Sequence, residues 1–116
     1  MLAIIRMMRL LILSKENMHS IKYTKQAEVD LADAISHIAE ESVPNAMHYL
    51  VGYEDKIELL RDNPFMGTHC KNKYIKRACR VLVYKSHIVV YKVQEAYHEI
   101  LIIRIFHTSV NYAHLI

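Results

Sequence analysis

The chain has 116 residues, 53% hydrophobic and 23% charged, with two glycines and two prolines. That excludes a disordered, collagen-like or low-complexity chain and allows one domain with one core. The net charge of +3 is unevenly laid: residues 18–63 hold four Lys/Arg against nine Asp/Glu, and residues 64–116 hold eight against two. The basic half suits an anionic partner, or the two halves form two solvated faces of one small protein.

Residues 1–13 are apolar apart from Arg6 and Arg9. The stretch is too short, and too charged in its middle, for a transmembrane helix, which needs about 20 apolar residues. It also lacks the ordered regions and small-residue cleavage site of a signal peptide. Its basic, apolar character suits a membrane surface, but a start of translation at Met18 is the simpler reading. Residues 1–17 are therefore set apart as an N-terminal extension of unknown role, with no membrane partner expected, and residues 18–116 as the single domain.

Ile21 and Tyr23 alternate with polar neighbours, which predicts a short strand. Thr24 is placed to cap a helix, and Glu28 and Asp30 lie in its favourable N-terminal field. Ala27, Leu31, Ala34, Ile35 and Ile38 recur at three- and four-residue steps and form one apolar stripe. Glu41-Ser42-Val43-Pro44 interrupts that helix. Pro44 suits the first turn of a second one, with Ser42 as its cap. Ala46, Leu50, Tyr53, Ile57 and Leu60 then form a narrow seam, and so short a connection predicts an antiparallel helix hairpin. Asn63-Pro64 ends it.

Residues 64–73 read as a loop. Beyond them the period changes from 3.6 to 2, and three runs rich in Val, Ile and Tyr follow at about 75–84, 87–93 and 98–107. Lys85-Ser86 is a two-residue turn without the favoured Gly or Asn. Ile100 to Ile103 are so apolar that a central strand covered on both faces is expected. The order is β-α-α-β-β-β. It predicts an α+β fold, an antiparallel sheet with a two-helix hairpin packed on one face.

From about Ile21 to Leu115 the chain resembles the ParE/RelE superfamily of type II toxin–antitoxin toxins, and the ParE branch most. Ala27, Asp30 and Leu31 match the family's opening helix motif. Leu60, Pro64 and Gly67 match its Leu-x-x-x-Pro-x-x-Gly. Ser86, His87, Val89 and Tyr91 match its Ser-His-x-Val-x-Tyr strand, and Ile103-Arg104-Ile105-Phe106-His107 its closing Ile-Arg-Ile-x-His. Ala78-Cys79 stands before Arg80 where the family often has Gly-Tyr. The resemblance implies a toxin neutralised by a cognate antitoxin. ParE-like members poison DNA gyrase; RelE-like members are endoribonucleases that cut mRNA on the ribosome. A third class is a non-toxic antitoxin-binding or interaction module.

Cleaving RNA needs a base, an acid and cations around the phosphorane. The resemblance to RelE-like toxins makes Lys76, Arg80, Arg104, His107 and Tyr112 the catalytic candidates, with Arg77 beside them. Strand alternation places Lys76, Arg80, Leu82 and Tyr84 on one face, and Arg77, Cys79, Val81 and Val83 on the other. One basic pair on a face is a thin set for a ribonuclease, so gyrase poisoning stands ahead. His87 is expected to be structural, and His107 structural or partner-contacting before catalytic. Arg80 and Arg104 are expected to pair with a helix carboxylate such as Asp30 or Asp33, or with a partner. Tyr84 and Tyr91 could stack on a base, but Tyr at sheet positions is more often ordinary β packing with a wet hydroxyl, and that is the expectation here. The Leu50, Tyr53, Ile57 seam is core by default; the resemblance implies that part of the hairpin's apolar surface receives the antitoxin instead, which makes these three, with Arg80, the candidate antitoxin contacts. No metal or cofactor is expected. Cys70 and Cys79 are too few for a disulfide scaffold, so a reduced, cytoplasmic setting is the default.

Overall fold

A computed structural model describes residues 18–70 and 79–110. The expectations for the extension, Lys76, Arg77 and Tyr112 lie outside these residues.

Strand β1 (Ser20–Tyr23) leads at once into helix α1 (Lys25–Glu41). Thr24 makes the junction with one hydroxyl. Its oxygen accepts the Ala27 N–H at 3.0 Å, and its hydrogen goes to the Ile103 carbonyl at 2.7 Å. Ser42 serves two helices in the same way. Its N–H closes α1 on the Ile38 carbonyl, and its Oγ accepts the Asn45 N–H to open α2 (Val43–Glu58), with Pro44 in the first turn. A 3-10 turn, Leu59–Arg61, follows α2. The expected seam is present: Ala46, Tyr53, Ile57 and Leu60 are buried, and Leu50 packs beside them.

The remaining strands are β2 (Thr68–His69), β3 (Arg80–Tyr84), β4 (His87–Gln94) and β5 (Glu99–His107). The sheet order is β1-β5-β4-β3-β2. Pairing is antiparallel from β2 to β5, and β1 joins the β5 edge in parallel. β2 lies within the stretch read from sequence as a loop. Tyr84 pairs with His87 across the two-residue turn, which Lys85 completes in the left-handed region at φ 47°. Val90 pairs with Arg104 and Tyr91 with Ile102, so Ile103 is an extra residue that bulges from β5.

Alternation sorts the sheet into two faces. Leu82, Val89, Tyr91, Ile100, Ile102 and Ile105 meet the helices in the main core, with Tyr53 and Leu60. Cys79, Val81, Val90 and Phe106 make a smaller cluster on the opposite face. Burial of each large side chain contributes about 1.5–3 kcal/mol, so the helix-side face carries most of the stabilisation. β5 buries Ile100, Ile102 and Ile105 against the helices and Phe106 on the other face, where Leu101 is only partly covered, so the expected cover on both faces is met in part.

Cys70 and Cys79 are joined by a disulfide, with Cα atoms 5.5 Å apart. This departs from the expectation of reduced thiols. β2 and β3 run antiparallel with His69 opposite Arg80, so the next positions, Cys70 and Cys79, also face each other. The Cys70 N–H donates to the Cys79 carbonyl at 3.1 Å. No helix among the described residues is long and apolar enough to cross a membrane.

Candidate functional site

Arg80 and Arg104 do not share a platform. Arg80 alternates with Leu82 on the helix-side face, whereas Arg104 lies with Phe106 on the other. Each is already engaged within its own chain. Arg80 donates to the carbonyls of Gly67 at 2.7 Å and Phe65 at 3.1 Å, and its guanidinium lies over the Phe65 ring. It approaches His69 Nε2 at 3.4 Å. Its partners within the chain are backbone oxygens and an aromatic ring, not the helix carboxylate that was one of the expectations. A single cation here ties the Pro64-to-Gly67 corner to β3.

Tyr91 holds the same corner from inside. Its hydroxyl donates to the Pro64 carbonyl and accepts the Gly67 N–H, both at 2.9 Å. The residue is fully buried, so the suggestion that it stacks on a base fails. Burial pushes its phenol pKa up, against the Gly67 hydrogen bond and the Arg80 charge. Gly67 is required by this close approach. A Cβ there would lie 2.7 Å from both the Tyr91 hydroxyl and the Val81 carbonyl. Tyr84 is half-buried and packs its ring over Gly52 of α2, so it too is a packing residue.

Arg104 does pair with a helix acid. Its Nε lies 2.8 Å from Asp30 Oδ2, and its Nη2 3.3 Å from Oδ1. Asp30 also accepts the Ile105 N–H at 3.0 Å and the Gln26 amide at 3.0 Å. The chain needs an acceptor at this place. β1 ends at Tyr23, so β5 beyond Ile102 has an open edge, and Asp30 satisfies an edge donor that no strand reaches. Burial alone would raise the Asp30 pKa. The bonds from Arg104, Ile105 and Gln26 outweigh it and hold the carboxyl below its ordinary value.

The free end of the sheet gathers groups that were read singly in the sequence. The Tyr49 hydroxyl lies 2.6 Å from His87 Nδ1, 3.2 Å from Ser86 Oγ and 3.3 Å from the Tyr84 carbonyl. The His87 and His107 rings meet edge-on, with centroids 5.4 Å apart. His107 Nδ1 accepts the Ser109 N–H at 3.1 Å, so a neutral ring carries its proton on Nε2. Lys85 spans the Tyr49 and Tyr84 rings. Burial, and secondly the His107 charge, lower the His87 pKa. The expected structural role of His87 fits its bond to Tyr49. Tyr49 itself was missed. It lies one residue off the apolar seam, and its partner is a turn 38 residues away.

The last feature is an open groove of about 520 Å³ across the helix hairpin. Tyr23, Leu31, Ile35 and Leu50 line it, and Glu28 and Glu54 stand at its sides. Of the seam residues expected to touch an antitoxin, Tyr53 and Ile57 are 1% and 4% exposed and belong to the core. Leu50 alone of the three faces this groove. Tyr53 hydrogen-bonds Tyr23 at 2.9 Å, and burial pushes both phenols upward.

A family model for the ParE toxin of the type II toxin–antitoxin system parDE matches residues 21–112. The chain belongs to the ParE toxin family. The match takes in all the elements described above except Ser20 of β1, and includes Asp30, the Pro64–Gly67 corner, His87 and His107. No curated protein matches the chain in sequence. Among solved structures, the ParE-family fold is similar to one in the chromosomal ParDE toxin–antitoxin system of P. aeruginosa. That pair has a TM-score of 0.63 and 21% identity, over 78% of this chain and 97% of the other. It is also similar to one in the RelBE2 toxin–antitoxin complex of Mycobacterium tuberculosis, with a TM-score of 0.53 and 14% identity, over 78% and 98%. At such identities the likeness is one of fold. It carries over no site residue.

Proposed function

We propose that this ParE-family toxin acts in the cytoplasm as a poison of DNA gyrase and is neutralised by a cognate antitoxin. The observation that carries the choice of target is the engagement of Arg80 and Arg104 on opposite faces of the sheet. Phosphoryl chemistry on RNA wants preorganised cations converging on one phosphate. Here one arginine holds two carbonyls and the other a carboxylate. Neither can turn to a phosphate without releasing a structural partner. A toxin that works by binding a protein target needs no such convergence.

The antitoxin is assigned to the groove between α1 and α2. Apolar anchors at Leu31, Ile35 and Leu50 suit an amphipathic segment laid along the hairpin. Glu28 and Glu54 favour Lys or Arg flanking its apolar residues. In a reducing cytoplasm Cys70 and Cys79 would stand as thiols, with the backbone bond between them still joining β2 to β3.

The ribonuclease reading has one arrangement in its favour, the two imidazoles in contact at the sheet end, where an acid and a base for 2′-hydroxyl attack would be close together. Induction of the toxin in cells separates the two. Filamentation and an SOS response with intact mRNA are expected. Rapid codon-linked mRNA cleavage without SOS, abolished by His107→Ala, would replace the gyrase reading with the ribonuclease one.

A further inference from the structure

We infer that residues 1–17 of this chain dock in the α1–α2 groove in cis and occupy the place assigned to the antitoxin. The inference rests on the groove being a docking site for a basic, apolar segment, and adds that the chain carries one.

The chain enters the fold beside the groove. The His19 N–H bonds the Arg61 carbonyl at 3.2 Å, and the Ser20 N–H the His98 carbonyl at 3.0 Å. Arg61 sits at the end of the hairpin and borders a second hollow of about 370 Å³, lined also by Ile21, Glu54, Asp55 and Glu58. That hollow shares Tyr23 and Glu54 with the main groove, so the two form one path leading from residue 18 to Leu31 and Leu50. Arg61 and Leu50 are eleven residues apart. At about 1.5 Å per residue along a helix the path is on the order of 16 Å, which an extended run of five or six residues covers. Seventeen are present.

The chemistry is complementary in both respects. Along the path stand Glu28, Glu54, Asp55 and Glu58; the second hollow is of mixed polarity, and the main groove beyond it is apolar. Residues 1–17 carry Arg6, Arg9 and Lys15 against one acid, Glu16, in an otherwise mostly Leu, Ile and Met sequence. A tethered segment also acts at a high effective concentration, so a weak intrinsic affinity suffices. The consequence is regulatory: an antitoxin must displace the toxin's own N-terminus before it can bind.

The test uses the full chain. Ser36 is exposed and borders the groove, and with Cys70 and Cys79 disulfide-bonded a nitroxide on Ser36→Cys is the sole label. NMR signals of residues 4–13 should be strongly broadened. Arg6→Glu with Arg9→Glu should restore them, and adding Glu28→Lys with Glu54→Lys should broaden them again. Sharp signals for residues 4–13 in the otherwise unaltered labelled chain overturn the inference. A synthetic peptide of residues 1–17, added to the labelled Arg6→Glu, Arg9→Glu chain, tests the groove separately. If that peptide is broadened while residues 4–13 of the otherwise unaltered labelled chain stay sharp, the docking surface stands and the cis occupancy falls. If neither is broadened, the groove loses its affinity for basic, apolar segments as well.

Discussion

Asp30 shows how one side chain can serve edge protection, charge pairing and helix placement together. It takes a donor from Arg104, a donor from the β5 backbone and one from its own helix. Asp30→Ala would leave an unsatisfied edge N–H and a half-buried guanidinium, at a cost of about 2 kcal/mol to stability by urea unfolding. Because its carboxyl is held below the ordinary value of 3.8, the stabilisation is complete above that pH and is lost as pH falls through the folded-state pKa. His87 produces a separate effect at higher pH. Its pKa is lowered from 6.5, so the unfolded chain takes up the proton first, and stability declines as pH falls below 6.5 toward the folded value. Unfolding midpoints at successive pH values should show that slope, and His87→Gln should flatten it while leaving the deeper acid loss in place. The aspartate's role was foreshadowed by its position in the first helix. Which helix acid meets Arg104 was left open between Asp30 and Asp33, because sequence periodicity gives a helix face but not the strand residue opposite it.

At the scale of elements, both helices were legible. Their caps are side chains acting three residues away, a distance that sequence spacing encodes directly. The three long strands were legible for the same reason, through period-two alternation. β2 was not. It is two exposed residues long, and its pairing is fixed by contacts distant in sequence: Arg80, Tyr91 and the cysteine bridge. The parallel direction of β1 was also beyond reach, since four alternating residues read alike in either direction. The Pro64–Gly67 corner gives the sharpest element-level prediction. Gly67→Ala drives a methyl group into the Tyr91 hydroxyl and the Val81 carbonyl, and the second of these is backbone that cannot rotate away. A loss of about 2 kcal/mol is expected in thermal or urea unfolding, within the range for overpacking a tight site. Gly67→Ala with Tyr91→Phe should recover little, because the backbone clash remains.

For the whole molecule, charge segregation along the sequence suggested a basic half suited to an anionic partner, and the fold disperses part of that charge. Two arginines in neighbouring parts of a sheet face opposite ways, one because of strand alternation and the other because a bulge at Ile103 resets the phase of β5. No linear pattern reveals a bulge before the register is known. The acidic half behaves differently. Two of its acids, Glu28 and Glu54, flank an apolar groove on the helix hairpin, where the sequence had shown only a seam. The antitoxin site and the self-occupancy proposed above both belong to the helix layer, while the sheet end holds Tyr49 and His87 half-buried and His107 exposed. The most direct measurement is incubation of the purified protein with DNA gyrase and supercoiled plasmid, followed by detergent and protease treatment. The expected result is accumulation of linear, gyrase-cleaved DNA in proportion to toxin. Plasmid left supercoiled at every toxin concentration, alongside cleavage of mRNA on translating ribosomes by the same preparation, would contradict it.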